Sequence, residues 1–204
     1  SQTDYKHTEF DAGTPGTLFA NQGHDARVQL RHKPWRLGAG QWEGLWGLQS
    51  EQGKFSANGA EAFAPFSHTR STAAFVFEEY ALNEVQFNAG ARKENVTVAS
   101  LGNPDPSVDR FEVGQRQFSP QSVAASASWQ WMPTWRLSTN VSQVQRAPKD
   151  YELFANGPHV ATAAWEKGDA KLGLEKANSI DVSADWQQGS HQFKITAFQS
   201  QFSN

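Results

Sequence analysis

The stretch Ser122-Val123-Ala124-Ala125-Ser126-Ala127-Ser128-Trp129-Gln130-Trp131-Met132-Pro133-Thr134-Trp135-Arg136 alternates with a period of two and then breaks at a tight turn set between tryptophans. Val123, Ala125, Ala127, Trp129 and Trp131 share one face; Ser122, Ser126, Ser128 and Gln130 share the other, with Ala124. Alternate side chains of an extended chain point the same way, so this is a strand with one apolar and one polar surface. Working outward, Ile180, Val182, Ala184 and Trp186 alternate against Asp181, Ser183, Asp185 and Gln187. Phe193, Ile195 and Ala197 alternate against Gln192, Lys194 and Thr196, and Ala73, Phe75 and Phe77 against Thr72, Ala74 and Val76, less cleanly. The tight turns share their aromatics. Trp35 sits in His32-Lys33-Pro34-Trp35-Arg36-Leu37-Gly38, Trp186 precedes Gln187-Gln188-Gly189-Ser190, and Tyr80 precedes Leu82-Asn83-Glu84. The connections between these hairpins are long, polar and rich in Gly, Pro and Asp. Amphipathic rings gather where lipid meets water, so the pattern predicts an all-β fold, a transmembrane antiparallel β-barrel segment in a bacterial outer membrane.

Composition fits that reading. Only 38% of the residues are hydrophobic and mean hydropathy is negative, but a spanning strand shows lipid only its alternate residues. The run Ala73-Ala74-Phe75-Val76-Phe77 falls far short of the ~20 residues a membrane helix needs. The absence of cysteine removes thiolate metal sites and thiol redox chemistry. A net charge of -3 with no basic run argues against a nucleic-acid partner.

Hairpins are predicted over 19–33 with 40–55, 70–81 with 84–98, 118–131 with 135–146 and 178–187 with 191–204, with a further strand over 2–10. That is about nine strands. Several exceed the ~9–11 residues that span a bilayer, so they should rise above it on one side. Bacterial barrels carry an even number of strands and close on themselves, so strands are expected beyond both ends of this segment. No initiator Met or signal peptide stands at Ser1, and the chain reads as one unit excised from a longer one. A soluble carbohydrate-binding β-sandwich would also alternate, but it gives no reason for aromatics at every second turn. A passive porin would share the barrel.

The segment Arg146-Ala147-Pro148-Lys149-Asp150-Tyr151-Glu152-Leu153-Phe154-Ala155-Asn156-Gly157-Pro158-His159-Val160-Ala161-Thr162, continuing through Trp165-Glu166-Lys167-Gly168-Asp169 and Leu174-Glu175-Lys176-Ala177-Asn178, adds a second line of argument. It resembles the R-x-P…E-L…G-x-H…G…L…E…N stretch of TonB-dependent outer-membrane receptors, and is most similar to their zinc-uptake branch. Asp4-Tyr5-Lys6-His7-Thr8-Glu9, Ala26-Arg27-Val28-Gln29-Leu30-Arg31-His32 and Phe75-Val76-Phe77-Glu78-Glu79 with Gly90-Ala91-Arg92-Lys93-Glu94 fit the same branch. The resemblance implies a barrel of about 22 strands around a plug, energised by TonB from the inner membrane. Against it, residues 1–204 contain barrel only: the plug, the TonB-binding segment and the terminal strands are not in this sequence.

The resemblance also implies a site. Zinc, as cargo and not as a resident cofactor, would take a carboxylate at Glu9 and an imidazole at His159, with His7 on the same strand face as Tyr5 and Glu9 and plug residues completing the shell. Asn156 stands where a further histidine would strengthen the site. The ordinary reading of His159 is a Gly-Pro-His turn residue that orders its loop. His24 and His68, toward the long loops, and His32 and His191, at short turns, read as solvated. Asp105, Asp109, Glu112, Asp169 and Glu175 read as loop carboxylates that are solvated, bind Ca²⁺ or repel lipopolysaccharide phosphates. Gly13-Thr14-Pro15-Gly16-Thr17 reads as turn punctuation, and no catalytic constellation is present, so no enzyme is expected.

Overall fold

The computed structural model describes residues 1–11, 14–59, 61–159 and 163–204. Gly13 and residues 160–162 of the quoted motifs therefore lie outside the described residues. The strands are β1 (Gln2–Asp11), β2 (Thr14–Leu37), β3 (Gly40–Asn58), β4 (Ser67–Leu82), β5 (Val85–Ser100), β6 (Gly114–Phe118), β7 (Gln121–Met132), β8 (Trp135–Arg146), β9 (Asn156–His159), β10 (Ala164–Lys167), β11 (Glu175–Gln188) and β12 (His191–Ser203). Nine of them form one path, β1-β2-β3-β4-β5-β7-β8-β11-β12, the nine strands read from the sequence. Each pairs antiparallel with its neighbours on that path. β6 pairs the upper part of β5, above β7, and β9 and β10 form a separate hairpin. Among the described residues no second large sheet packs on the first, so the sandwich expectation fails.

The strands also run further than the alternation indicated. β2 begins at Thr14, so residues 14–17 are strand and not turn punctuation. Thr17 is fully buried there. Residues 118–131 split into β6 and β7 at Ser119 and Pro120, whose ring removes a ladder donor. A short helix α1 (Asp150–Phe154) and a 3-10 turn (Pro106–Val108) interrupt the long connections.

Register assigns the faces. Arg27, Gln49, Ala73, Arg92, Ser122, Asn140, Asp181 and Phe198 lie on one side; Val28, Leu48, Ala74, Val123, Val141, Ile180 and Ala197 lie on the other. The first side is polar and cross-linked: Asn140 Nδ2 donates to Asp181 at 3.0 Å, and Lys194 sits 3.4 Å from Asp185. It is also the side over which the long loops fold. Ala57, Ala62, Val108 and Phe111 bury themselves there with Phe19 and Phe55. Val98, Phe118, Leu153 and Phe154 form a second cluster with Val96, Leu172 and Leu174. That side is the lumen, as the alternation of Val123, Asp181 and Lys194 required.

Four short turns close the opposite end, between β2 and β3, β4 and β5, β7 and β8, and β11 and β12. Gly38 and Gly189 take φ of 62° and 58° there, a left-handed conformation that glycine adopts without strain. A register slip between His32 and Trp35, and another between Trp129 and Met132, add residues near these turns. The first moves Trp35 into the row of Trp42 and Tyr80 on the outer face, which builds the aromatic girdle.

Candidate functional site

The lumen mouth is built from the long connections. Arg146, the last residue of β8, donates Nη1 to Glu152 Oε2 at 2.8 Å and Nη2 to Glu175 Oε2 at 2.8 Å. One guanidinium thus ties the strand end to helix α1 and to the start of β11. The Arg146 bonds hold the Glu152 carboxyl below the usual carboxylate range, against the opposing effect of burial. Glu152 also accepts from the Lys149 backbone N–H at 2.6 Å, closing the first turn of α1. Leu153 and Phe154 then point into the core, and Gly168 N–H donates to Ala155 O at 2.7 Å. Glu175 is therefore an ion-pair partner. Asp105 likewise caps its own turn by accepting from Ser107 N at 2.9 Å, and the Ser107 bonds lower its pKa.

His159 closes β9. Its Nδ1 lies 2.5 Å from Glu166 Oε1 across the hairpin, and its ring stacks on Phe63 with centroids 4.7 Å apart. Phe63 in turn packs 6.2 Å from Phe19. His7 is the register partner of Phe19 and shares its lumen face. His7 and His159 thus lie on either side of the Phe19–Phe63 pair, the first through strand register and the second through ring stacking. Glu9 does not sit in the regular ladder. A register shift between Thr8 and Phe10 falls on it, so the common face expected for Tyr5, His7 and Glu9 is interrupted at its upper end. Among the described residues no three His, Asp or Glu side chains come together as a metal cluster.

Asn156 has structural work. Its Nδ2 donates to Arg110 O at 2.8 Å and its Oδ1 accepts from Trp165 Nε1 at 3.2 Å. Arg110, whose burial lowers its pKa, donates to Ala62 O at 2.5 Å and lies over the Phe111 ring. Gly157 is packed so closely that a Cβ would stand 2.8 Å from Phe63 Cα and 3.1 Å from Arg110 Nε. These contacts dock the β9–β10 hairpin on the β3–β4 connection. Sequence reading missed Phe63, Glu166 and Arg110, because their roles depend on contacts between distant loops. Glu166 alone carried a local signal, seven positions from His159.

Of the other histidines, His191 is exposed at its turn, and His24 and His68 lie on the outer face. His32 is paired and not simply solvated. Its Nε2 lies 3.0 Å from Glu78 Oε2, which also accepts from Trp42 Nε1 at 2.5 Å. Gly44 stands between His32 and Glu78 in the same row, and a side chain there would collide with the Glu78 carboxylate. That slot lets a carboxylate on the lipid side lie flat and keep its partners.

Comparison with known proteins agrees with this geometry. A family model described as TonB dependent receptor-like, beta-barrel, matches residues 1–204. A double mutant of the Serratia marcescens hemophore receptor HasR, in complex with its hemophore HasA and heme, superposes with a TM-score of 0.77 at 14% identity, over 92% of this chain and 34% of that one. The copper transporter OprC superposes with a TM-score of 0.66 at 14% identity, over 93% of this chain and 31% of that one. The chain spans about a third of the length of these structures.

Proposed function

The chain belongs to the TonB-dependent receptor β-barrel family of the outer membrane, and from that premise we propose that it forms one arc of the wall of a transporter for a metal ion or metal chelate, zinc first. The heme and copper cargoes of the two similar structures support a metal or chelate as the class. The observation that supports the reading is that His7, in register with Phe19, and His159, stacked on Phe63, flank one aromatic pair on the lumen side. β1 pairs only β2 and β12 pairs only β11 among the described residues, so further strands are proposed to close both edges. A plug, driven by TonB, would fill the polar lumen.

In this reading Glu9, His7 and His159 supply a barrel half-site, and plug side chains supply the rest of a tetrahedral shell. A half-site suits transport, because withdrawal of the plug removes ligands and lets the ion go. Glu166 would orient His159 by accepting from its Nδ1, as outer-shell carboxylates orient metal-bound imidazoles. The test is zinc uptake by the full-length receptor carrying Glu9→Ala and His159→Ala. Loss of outer-shell orientation typically costs ~10–100-fold in affinity, so removal of two ligands should cost at least that. Wild-type uptake in the double variant would refute the site and leave the barrel standing.

A further inference from the structure

Among the described residues of the nine-strand path, one carboxylate lies on an outward row of the apolar band, Glu78 on β4. Glu43, Glu79, Asp181 and Asp185, on β3, β4 and β11, all fall on lumen rows. A carboxylate that faces lipid is costly, so its presence asks for a reason. Glu78 stands in the row His32, Gly44, Glu78, Ala89 and Ala125, where a glycine and two alanines leave it no bulky neighbour. Glycine weakens a strand interior, yet a Cβ at Gly44 would collide with this carboxylate. Strand packing is thus sacrificed here to seat a charge on the lipid side.

The seat leaves half of the carboxylate open. His32 Nε2 lies 3.0 Å from Oε2, and Trp42 Nε1 donates to the same oxygen at 2.5 Å. No hydrogen bond reaches Oε1 among the described residues, and the Glu78 side chain is 27% exposed. The next outward row toward the short turns is aromatic, with Trp35, Trp42, Tyr80 and Phe87 in register. The exposed Trp35 ring has its centroid 5.1 Å from that of His32, and Tyr80 is fixed by donating to Leu37 O at 3.0 Å. An open carboxylate oxygen beside aromatic rings is the chemistry that recognises an ammonium group, by charge-assisted hydrogen bond and cation–π contact.

We infer that this seat binds the primary ammonium of a phospholipid headgroup in the periplasmic leaflet, an N–H donating to Glu78 Oε1 beside the aromatic row. The depth fits. Short turns mark the periplasmic end of a barrel, and its aromatic girdle marks the headgroup level. Glu78 is the next outward position after Tyr80 on β4, so an amine at girdle level reaches it while acyl chains run along Val76 and Trp46. The charge fits as well. Among the described residues neither row contains a lysine or arginine, so a purely anionic headgroup finds no such cation there. His32 and Trp42 are positioning residues that hold Oε2 and leave Oε1 to the ligand. The inference rests on the outer-membrane placement and not on the metal reading.

The experiment measures lipid binding to the purified full-length receptor in neutral detergent. The probes are phosphatidylethanolamine, its mono-, di- and trimethylated forms, and phosphatidylglycerol, all with the same acyl chains. Wild type should bind the ethanolamine lipid about fivefold more tightly than the trimethylated or glycerol lipid, the range of an exposed charge pair. Within the series the largest fall should come at the last methylation, which keeps the charge but removes the final N–H. Glu78→Gln, which retains an acceptor for Trp42, should erase these preferences. Val182→Ala, outward on β11, should keep them. Equal wild-type affinity for the ethanolamine and trimethylated lipids would overturn the inference, as would a preference that survives Glu78→Gln or is lost equally in Val182→Ala. The methylation series needs no variant, so it decides the matter even if Glu78→Gln fails to fold. Zinc uptake is read separately, so failure of one proposal is distinguishable from failure of the other.

Discussion

Arg146 shows what a single residue can carry. The sequence marked it as the first letter of a family motif, and its partners Glu152 and Glu175 as later letters, but nothing local said that the three meet. They meet because β8 and β11 are neighbours and α1 folds back between them, a matter of topology. Each bond to the guanidinium is charge-assisted, yet the Arg146 side chain is 38% exposed, so solvent screening limits the pair to about 1 kcal/mol. Glu152→Gln should therefore loosen the connection without unfolding the sheet, raising amide exchange over 147–174 by about fivefold. The pH dependence follows from the depressed Glu152 pKa. Its stabilising effect is complete above the ordinary carboxylate value of ~4.3 and is lost as pH falls through the lower folded value. Exchange in this connection that rises on acidification above that range would show that another group controls it.

At the scale of elements, period-two alternation placed all nine strands of the path, because one face meets lipid and the other a polar lumen. The reading failed where that contrast ends. Above the bilayer both faces of β2 and β3 are wetted or covered by loops, so residues 16–18 and 56–58 lose the alternation and the strands run on unseen. The β9–β10 hairpin was hidden for a different reason: Gly157-Pro158-His159 has turn composition, and its strand geometry comes from docking. Gly157→Ala tests that docking. The added Cβ would be well inside van der Waals contact with Ala62 O and 2.8 Å from Phe63 Cα. Backbone on both sides must move, at about 1–3 kcal/mol, so the hairpin should undock. Amide exchange over 156–167 should rise. Gly173→Ala, where a Cβ meets nothing within 4 Å, should leave that exchange unchanged.

The whole molecule adds a property that no single strand contains. The apolar rows climb across the sheet: on β2 the outward band runs from Leu37 up to Ala26, while on β11 it runs from Trp186 only to Ile180, with Asn178 above. Register rows cross the strands at right angles, so a membrane boundary that slips along them from strand to strand means tilted strands, as a barrel wall requires. This fixes which of two adjacent residues meets lipid. Ala127, in the row of Phe87 and Thr139, faces outward, and Ser128, in the row of Gln86 and Ser138, faces a polar lumen hollow beside Arg136 and Asp185. Ala127→Arg should destabilise the full-length barrel in lipid vesicles by about 2–4 kcal/mol, as cations near the midplane do. Ser128→Arg, one position along the same strand, should cost well under half as much, since water and carboxylates are at hand. Equal penalties would mean that both faces meet the same solvent, and the separation of lipid from lumen in this sheet would fall with them.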